Sequence, residues 1–148
     1  MNEGNNILEF MKSEGYFRFK ADATVSSRDL YATYQQWCED NATHAPWFEG
    51  ADLLIAADCT AYAYGNFHHA FMSGKVTMIG CPKLDAIDYS EKLTQIFKHN
   101  NIRSVTVTRM TVPCCGGLPF AVKTAIQNSG KAIPLHIVTI SPNGQIIP

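Results

Sequence analysis

The sequence predicts an α/β fold: a mostly parallel four-stranded sheet with helices packed on it, preceded by a short helical segment. Three observations point there. From residue 45 onward, strand-like and helix-like runs alternate. The strand-like runs are continuously apolar or β-branched, as strands covered on both faces should be. Two helix-like runs stop at a glycine, Gly74 and Gly130, where a left-handed residue can end a helix.

Taken in order, residues 5–14 form a short amphipathic helix with Ile7, Leu8, Phe10 and Met11 on one side. Residues 16–20 read as briefly extended. Ser26, with Asp29 three residues on, opens a second helix. Leu30, Tyr31, Tyr34, Trp37 and Cys38 share one of its faces at helical spacing. These elements make residues 1–44 a helical N-terminal segment. The second region, 45–148, begins where Pro46 and Gly50 punctuate the chain. Asp52 to Ala57 is a short apolar strand, Asn66 to Ser73 a short helix, and Lys75 to Gly80 a second strand. Asp88 caps a helix running to Asn100, with Tyr89, Leu93, Ile96 and Phe97 inward. Ser104 to Met110 alternates β-branched residues and forms a third strand. Leu118 to Ser129 is a helix with Leu118, Val122, Ala125 and Ile126 inward, and Leu135 to Ile140 is the fourth strand. Pro142-Asn143-Gly144 turns the chain back towards a short edge strand at 145–147. Parallel strands joined by helices imply right-handed crossovers. The predicted architecture is therefore a Rossmann-like or flavodoxin-like three-layer domain, whose ligands bind at the carboxyl ends of the strands.

Composition sets limits on function. A formal net charge of −1 over 148 residues gives no basic footprint for nucleic acid or an acidic membrane surface. No apolar run approaches the roughly 20 residues that a membrane helix needs. The first residues lack a basic region followed by an apolar stretch, so the expected location is the cytoplasm. Five cysteines, an odd number, argue against a disulfide framework in that setting and for reduced thiols.

The cysteines carry the functional signal. Cys59 follows the first strand, Cys81 the second, and Cys114 and Cys115 the third, whereas Cys38 belongs to a helix face. Four thiols thus project from one edge of the predicted sheet. Separate loops converging on one rim are how a soft-metal or iron–sulfur site is built, though a dithiol redox centre or four inert thiols would share the pattern. Cys114 and Cys115 precede a helix N-terminus, whose free N–H groups favour thiolate. Gly116 and Gly117 let backbone approach the sulfurs, and Lys83 is near enough in sequence to offset thiolate charge. His68, with His69 beside it, is a further candidate ligand or a surface histidine. The sulfurs of Cys59, Cys81 and one of Cys114 or Cys115 should lie within ~8 Å of one another if they share an ion. Phosphate loops and dinucleotide fingerprints are absent.

Two resemblances accompany these residues. The stretches Ala51-Asp52-Leu53-Leu54-Ile55-Ala56-Ala57-Asp58-Cys59-Thr60, Asn66-Phe67-His68, Ile79-Gly80-Cys81-Pro82-Lys83-Leu84-Asp85 and Arg109 to Leu118 resemble the C-terminal domain of 4Fe–4S cluster-binding ferredoxin-like oxidoreductases. The likeness runs from about 45 to 147. It implies an iron–sulfur cluster, with zinc or no cofactor as the alternative, and places Cys59, Cys81, Cys114, Cys115 and His68 on that family's positions. Family members carry a ferredoxin module with closely spaced cysteines, and no such run occurs in this sequence. The implied partner is therefore a separate ferredoxin or other redox protein. Residues 5–43 more loosely resemble the start of the winged-helix region of phage and plasmid primase–helicases, through Ile7-Leu8-Glu9-Phe10 and the aromatic face of the second helix. The expectation is a cytoplasmic domain that binds a metal or iron–sulfur cluster and serves redox chemistry or electron transfer. The alternative is a non-enzymatic interaction module with a helical docking segment.

Overall fold

The computed structural model describes residues 29, 30, 32, 33, 36 and 46–148. The chain divides into two units, Met1–Ala42 and Thr43–Pro148. In the first unit, Asp29, Leu30, Ala32, Thr33 and Gln36 are helical, and Thr33 Oγ1 donates to Asp29 O at 2.9 Å. The expected helix at 5–14, the extended stretch at 16–20 and the face residues Tyr31, Tyr34, Trp37 and Cys38 lie outside the described residues. Leu30, from the same expected face, is 36% exposed.

The second unit is built on β1 (Asp52–Ala57), β2 (Val76–Gly80), β3 (Ser104–Met110), β4 (Leu135–Ile140) and β5 (Ile146–Ile147). Their order is β2-β1-β3-β4-β5; every pairing is parallel except the antiparallel β4–β5. The predicted parallel α/β sheet is present, with the short return strand as a fifth member. Arg103 forks onto Asp52 while Ser104 Oγ donates to the same carboxylate at 2.7 Å, pinning β3 to β1 at the amino edge. These bonds, led by that from Arg103, hold the Asp52 carboxyl well below the usual carboxylate range.

Helix α1 (Asp58–Ala63) leaves β1 with no intervening loop, and a π-helical turn, His68–Met72, follows it. The sequence predicted a single helix at 66–73 and none at 58–63. Helix α2 (Tyr89–His99) starts where predicted, because Asp88 accepts from Ser90 N at 2.8 Å. Helix α3 (Gly117–Ser129) ends at Gly130, which adopts φ 71°. The chain moves from β1 to β2 in one direction along the sheet and from β2 through β3 to β4 in the other. With right-handed crossovers, α1 and the π-helical turn lie on one face of the sheet and α2 and α3 on the other.

Leu53, Leu54, Val105, Val107 and Ile140 fill the middle of the sheet, with Phe97, Leu118 and Val122 from the helices over them. The turn between β4 and β5 closes through Gly144 N to Ser141 O at 2.9 Å. Gly144 has φ 76°, and a Cβ there would stand 2.2 Å from Ala63 O. This turn therefore packs directly on the end of α1.

Candidate functional site

The strand order decides where a site forms. β1 lies between β2 and β3, and the chain's direction along the sheet reverses there. A crevice opens outside the carboxyl ends of strands at such a reversal. Cys59, in the first turn of α1, stands at the end of β1, and Cys115, in a 3-10 turn (Pro113–Gly116), follows β3. The two strands are neighbours, so the two thiols meet: Cys59 Sγ and Cys115 Sγ are 3.9 Å apart. Cys115 is 2% exposed and Cys59 is half-buried.

A hydroxyl pair beneath the thiols seats α1. Thr60 Oγ1 donates to Ala57 O at 2.6 Å and lies 3.1 Å from Thr108 Oγ1. A hydroxyl carries one proton, so Thr108 is the donor in the second bond. Both side chains are fully buried, and together they tie the first turn of α1 to β3.

Burial pushes the Cys59 thiol up to about 11, and the adjacent Cys115 adds to the effect, with Cys81 contributing last. Burial and the neighbouring sulfurs disfavour a negative charge on Cys59, so that sulfur is held as a thiol at neutral pH. The sequence expected helix N-terminal N–H groups to favour thiolate at Cys114 and Cys115; no such expectation attached to Cys59, where burial and the neighbouring sulfurs favour the thiol.

Cys81 directly follows β2, half-buried and near enough to act on Cys59 electrostatically. A network that sequence reasoning missed fixes its backbone. Cys81 N donates to Asp85 Oδ2 at 2.9 Å, Tyr89 OH donates to the same oxygen, and Cys81 O accepts from Leu84 N and Asp85 N. The N–H and hydroxyl donors hold Asp85 below the usual carboxylate range, while burial and then Asp85 push Tyr89 up to about 12. A Cβ on Gly80 would fall 2.7 Å from Tyr89 Oη, so the glycine before Cys81 makes room for that ring. The sequence signal was an acidic residue four places after the cysteine that follows the strand-ending Gly80.

The remaining candidates are not joined to the pair by any side-chain hydrogen bond among the described residues. Cys114 is exposed. Lys83 and His68 are exposed, and His68 opens the π-helical turn. Gly116 has open space where a side chain would go, whereas a Cβ on Gly117 would press on Pro82 Cβ at 3.2 Å. The close approach at Gly117 is thus to the loop that carries Cys81. Among the described residues, no group of three or more His, Cys, Asp or Glu side chains is placed to hold a metal ion. The part of a metal site that fits is the sulfur pair. Two ligands of a tetrahedral thiolate site with bonds of about 2.3 Å stand roughly 3.8 Å apart, close to the observed separation.

Residues 45–148 match the model of a family described as a Rossmann-like domain. The chain belongs to this family. Consistent with that, the Rossmann-like domain has a relative in Archaeoglobus fulgidus, carrying the name "Uncharacterized protein". The two are 30% identical over 105 residues, covering 70% of this chain and 74% of the relative. No solved structure matches. Among the described residues of the Rossmann-like domain, no helix is long and apolar enough to cross a membrane.

Proposed function

We propose that the domain holds a soft metal ion or iron–sulfur centre on its rim thiols and serves redox chemistry or electron transfer. The observation that carries this reading is the 3.9 Å separation of Cys59 Sγ and Cys115 Sγ at the reversal point of the sheet. Thiolate donors select soft ions, and iron bound there supplies a one-electron carrier. Cys81 and Cys114, from the same rim, are the further donors. The spacing suits one four-coordinate ion more closely than a four-iron cluster, in which each cysteine ligates its own iron and the sulfurs stand further apart. Binding displaces the thiol protons, so uptake depends on pH.

The test is anaerobic purification with iron, zinc and acid-labile sulfide analysis and an absorption spectrum. Stoichiometric metal, lost in Cys59→Ser and Cys115→Ser, is expected. A colourless protein with no stoichiometric metal, which takes none up when reduced and offered iron or zinc, would falsify the reading.

A second reading, an interaction module, is favoured by exposed apolar side chains, Ile87 and Phe120 around one hollow and Tyr62 and Ile79 around another. Tyr62, Ile79, Leu84, Ile87 and Phe120 are all between 65% and 93% exposed. Patches of this kind mark contact surfaces. Pull-down of a redox protein by the intact chain, weakened by Phe120→Ser and Leu84→Ser with metal content unchanged, is its expected result.

A further inference from the structure

We propose that Cys59 and Cys115 close reversibly into a disulfide by exchange with a low-molecular-weight disulfide, and that closure shuts the thiol site. The bond needs the sulfurs at about 2.05 Å, so they must approach by roughly 1.9 Å from where they stand. One sulfur sits on α1 and the other in the turn before α3, so the bond would join elements that follow two neighbouring strands. Cys59, half-buried, and the turn at 113–116, which has open space beside Gly116, are the two sides that must shift to close this gap.

The difference in access gives the exchange a direction. Cys59 is half-buried and Cys115 is 2% exposed. Cys59 first gives up its proton; its thiolate attacks one sulfur of the incoming disulfide, breaking the S–S bond, and the leaving thiolate takes up a proton in its place. The resulting mixed disulfide sits beside Cys115, whose sulfur attacks that of Cys59 and expels the second thiol with the second proton. The pair loses two electrons and two protons, and the small disulfide gains both as two thiols. Cys115 is too enclosed to take the first step and well placed for the second. The bond itself needs no metal; its effect on metal uptake rests on the reading above, because closure removes two donors.

The experiment uses the full chain, reduced, treated with a chelator, and equilibrated in glutathione buffers of rising disulfide content. After acid quench and alkylation, cysteine peptides are mapped by mass spectrometry. Cys59 and Cys115 should lose alkylation together as one cross-linked peptide pair, be recovered with dithiothreitol, and still pair in Cys81→Ser. Separate alkylation of both at the most oxidising ratio, or a cross-link through Cys81 or Cys114 instead, overturns the proposal. The unmodified chain supplies the deciding map, so the outcome stands even if the variant folds poorly. Metal and sulfide are measured on a reduced aliquot that saw no chelator. A metal-loaded protein whose thiols never couple refutes the disulfide alone. Coupling in a protein that takes up no metal supports the disulfide and refutes the metal reading.

Discussion

Replacing Thr60 by valine tests the proton assignment beneath the thiol pair. Thr60 gives its one proton to Ala57 O, so it can only accept from Thr108. Valine keeps the shape and removes both roles. Loss of the bond to Ala57 O is worth about 1 kcal/mol, and a fully buried Thr108 hydroxyl without an acceptor adds about 1–3 kcal/mol. Thr60→Val should therefore cost about 2–4 kcal/mol. Thr108→Val leaves the Thr60–Ala57 bond intact and should cost only about 0.5 kcal/mol. The double variant removes the stranded hydroxyl and should return to about 1 kcal/mol, more stable than Thr60→Val alone. Guanidinium melts of the four proteins measure this, and thermal melts should move by roughly 4–8 °C per kcal/mol. Equal costs for the two single changes, or a double variant as unstable as their sum, would refute the assignment.

Three further outcomes follow from the geometry. Gly144→Ala combines a positive φ with a Cβ 2.2 Å from Ala63 O, and should cost more than about 2 kcal/mol in a denaturant melt, against well under 1 kcal/mol at an exposed site without such constraints. Asp52 has a folded-state value depressed below its unfolded one, so its contribution is full above the ordinary carboxylate range and fades as pH falls through and below that range. Asp52→Asn should thus be less stable than the parent at neutral pH, with the difference shrinking in acid melts. The Cys59 thiol, raised to about 11, should react with iodoacetamide at a rate that climbs through pH 9–11 in the metal-free protein. A plateau by pH 8 would contradict that.

The sheet was legible because its strands carry their own signal. Ser104–Met110, with valine and threonine throughout, came out with the bounds read from sequence, and Asp88 announced α2 by its capping side chain. Helix α1 was not legible. Six residues give too few turns for a 3.6-residue period to show, and Thr60 is its buried residue. The π-helical turn depends on Ser73 N reaching His68 O, a five-residue bond that no local pattern marks. The rim positions of Cys59, Cys81, Cys114 and Cys115 could be read from strand ends, but the partnership of Cys59 with Cys115 could not. It depends on β1 and β3 being neighbours, although β2 lies between them in sequence. The hold of Asp85 on Cys81 was missed because a side chain returning four residues to a backbone N–H leaves no periodic trace.

The contact between Gly144 and Ala63 bears on when the site comes into being. Cys59 leaves the ribosome early, and β3 with Cys115 well after it. The turn at 141–145, which seats the far end of α1, is made later still. Until that turn arrives, α1 is held at its first turn by the Thr60–Thr108 pair and at its last by nothing from β4–β5. A nascent chain stalled before residue 141 should therefore react at Cys59 with an alkylating reagent faster than the full chain, in which that thiol is half-buried. Maturation of the thiol centre becomes a late event in synthesis, after every residue that supplies its sulfurs is already in place.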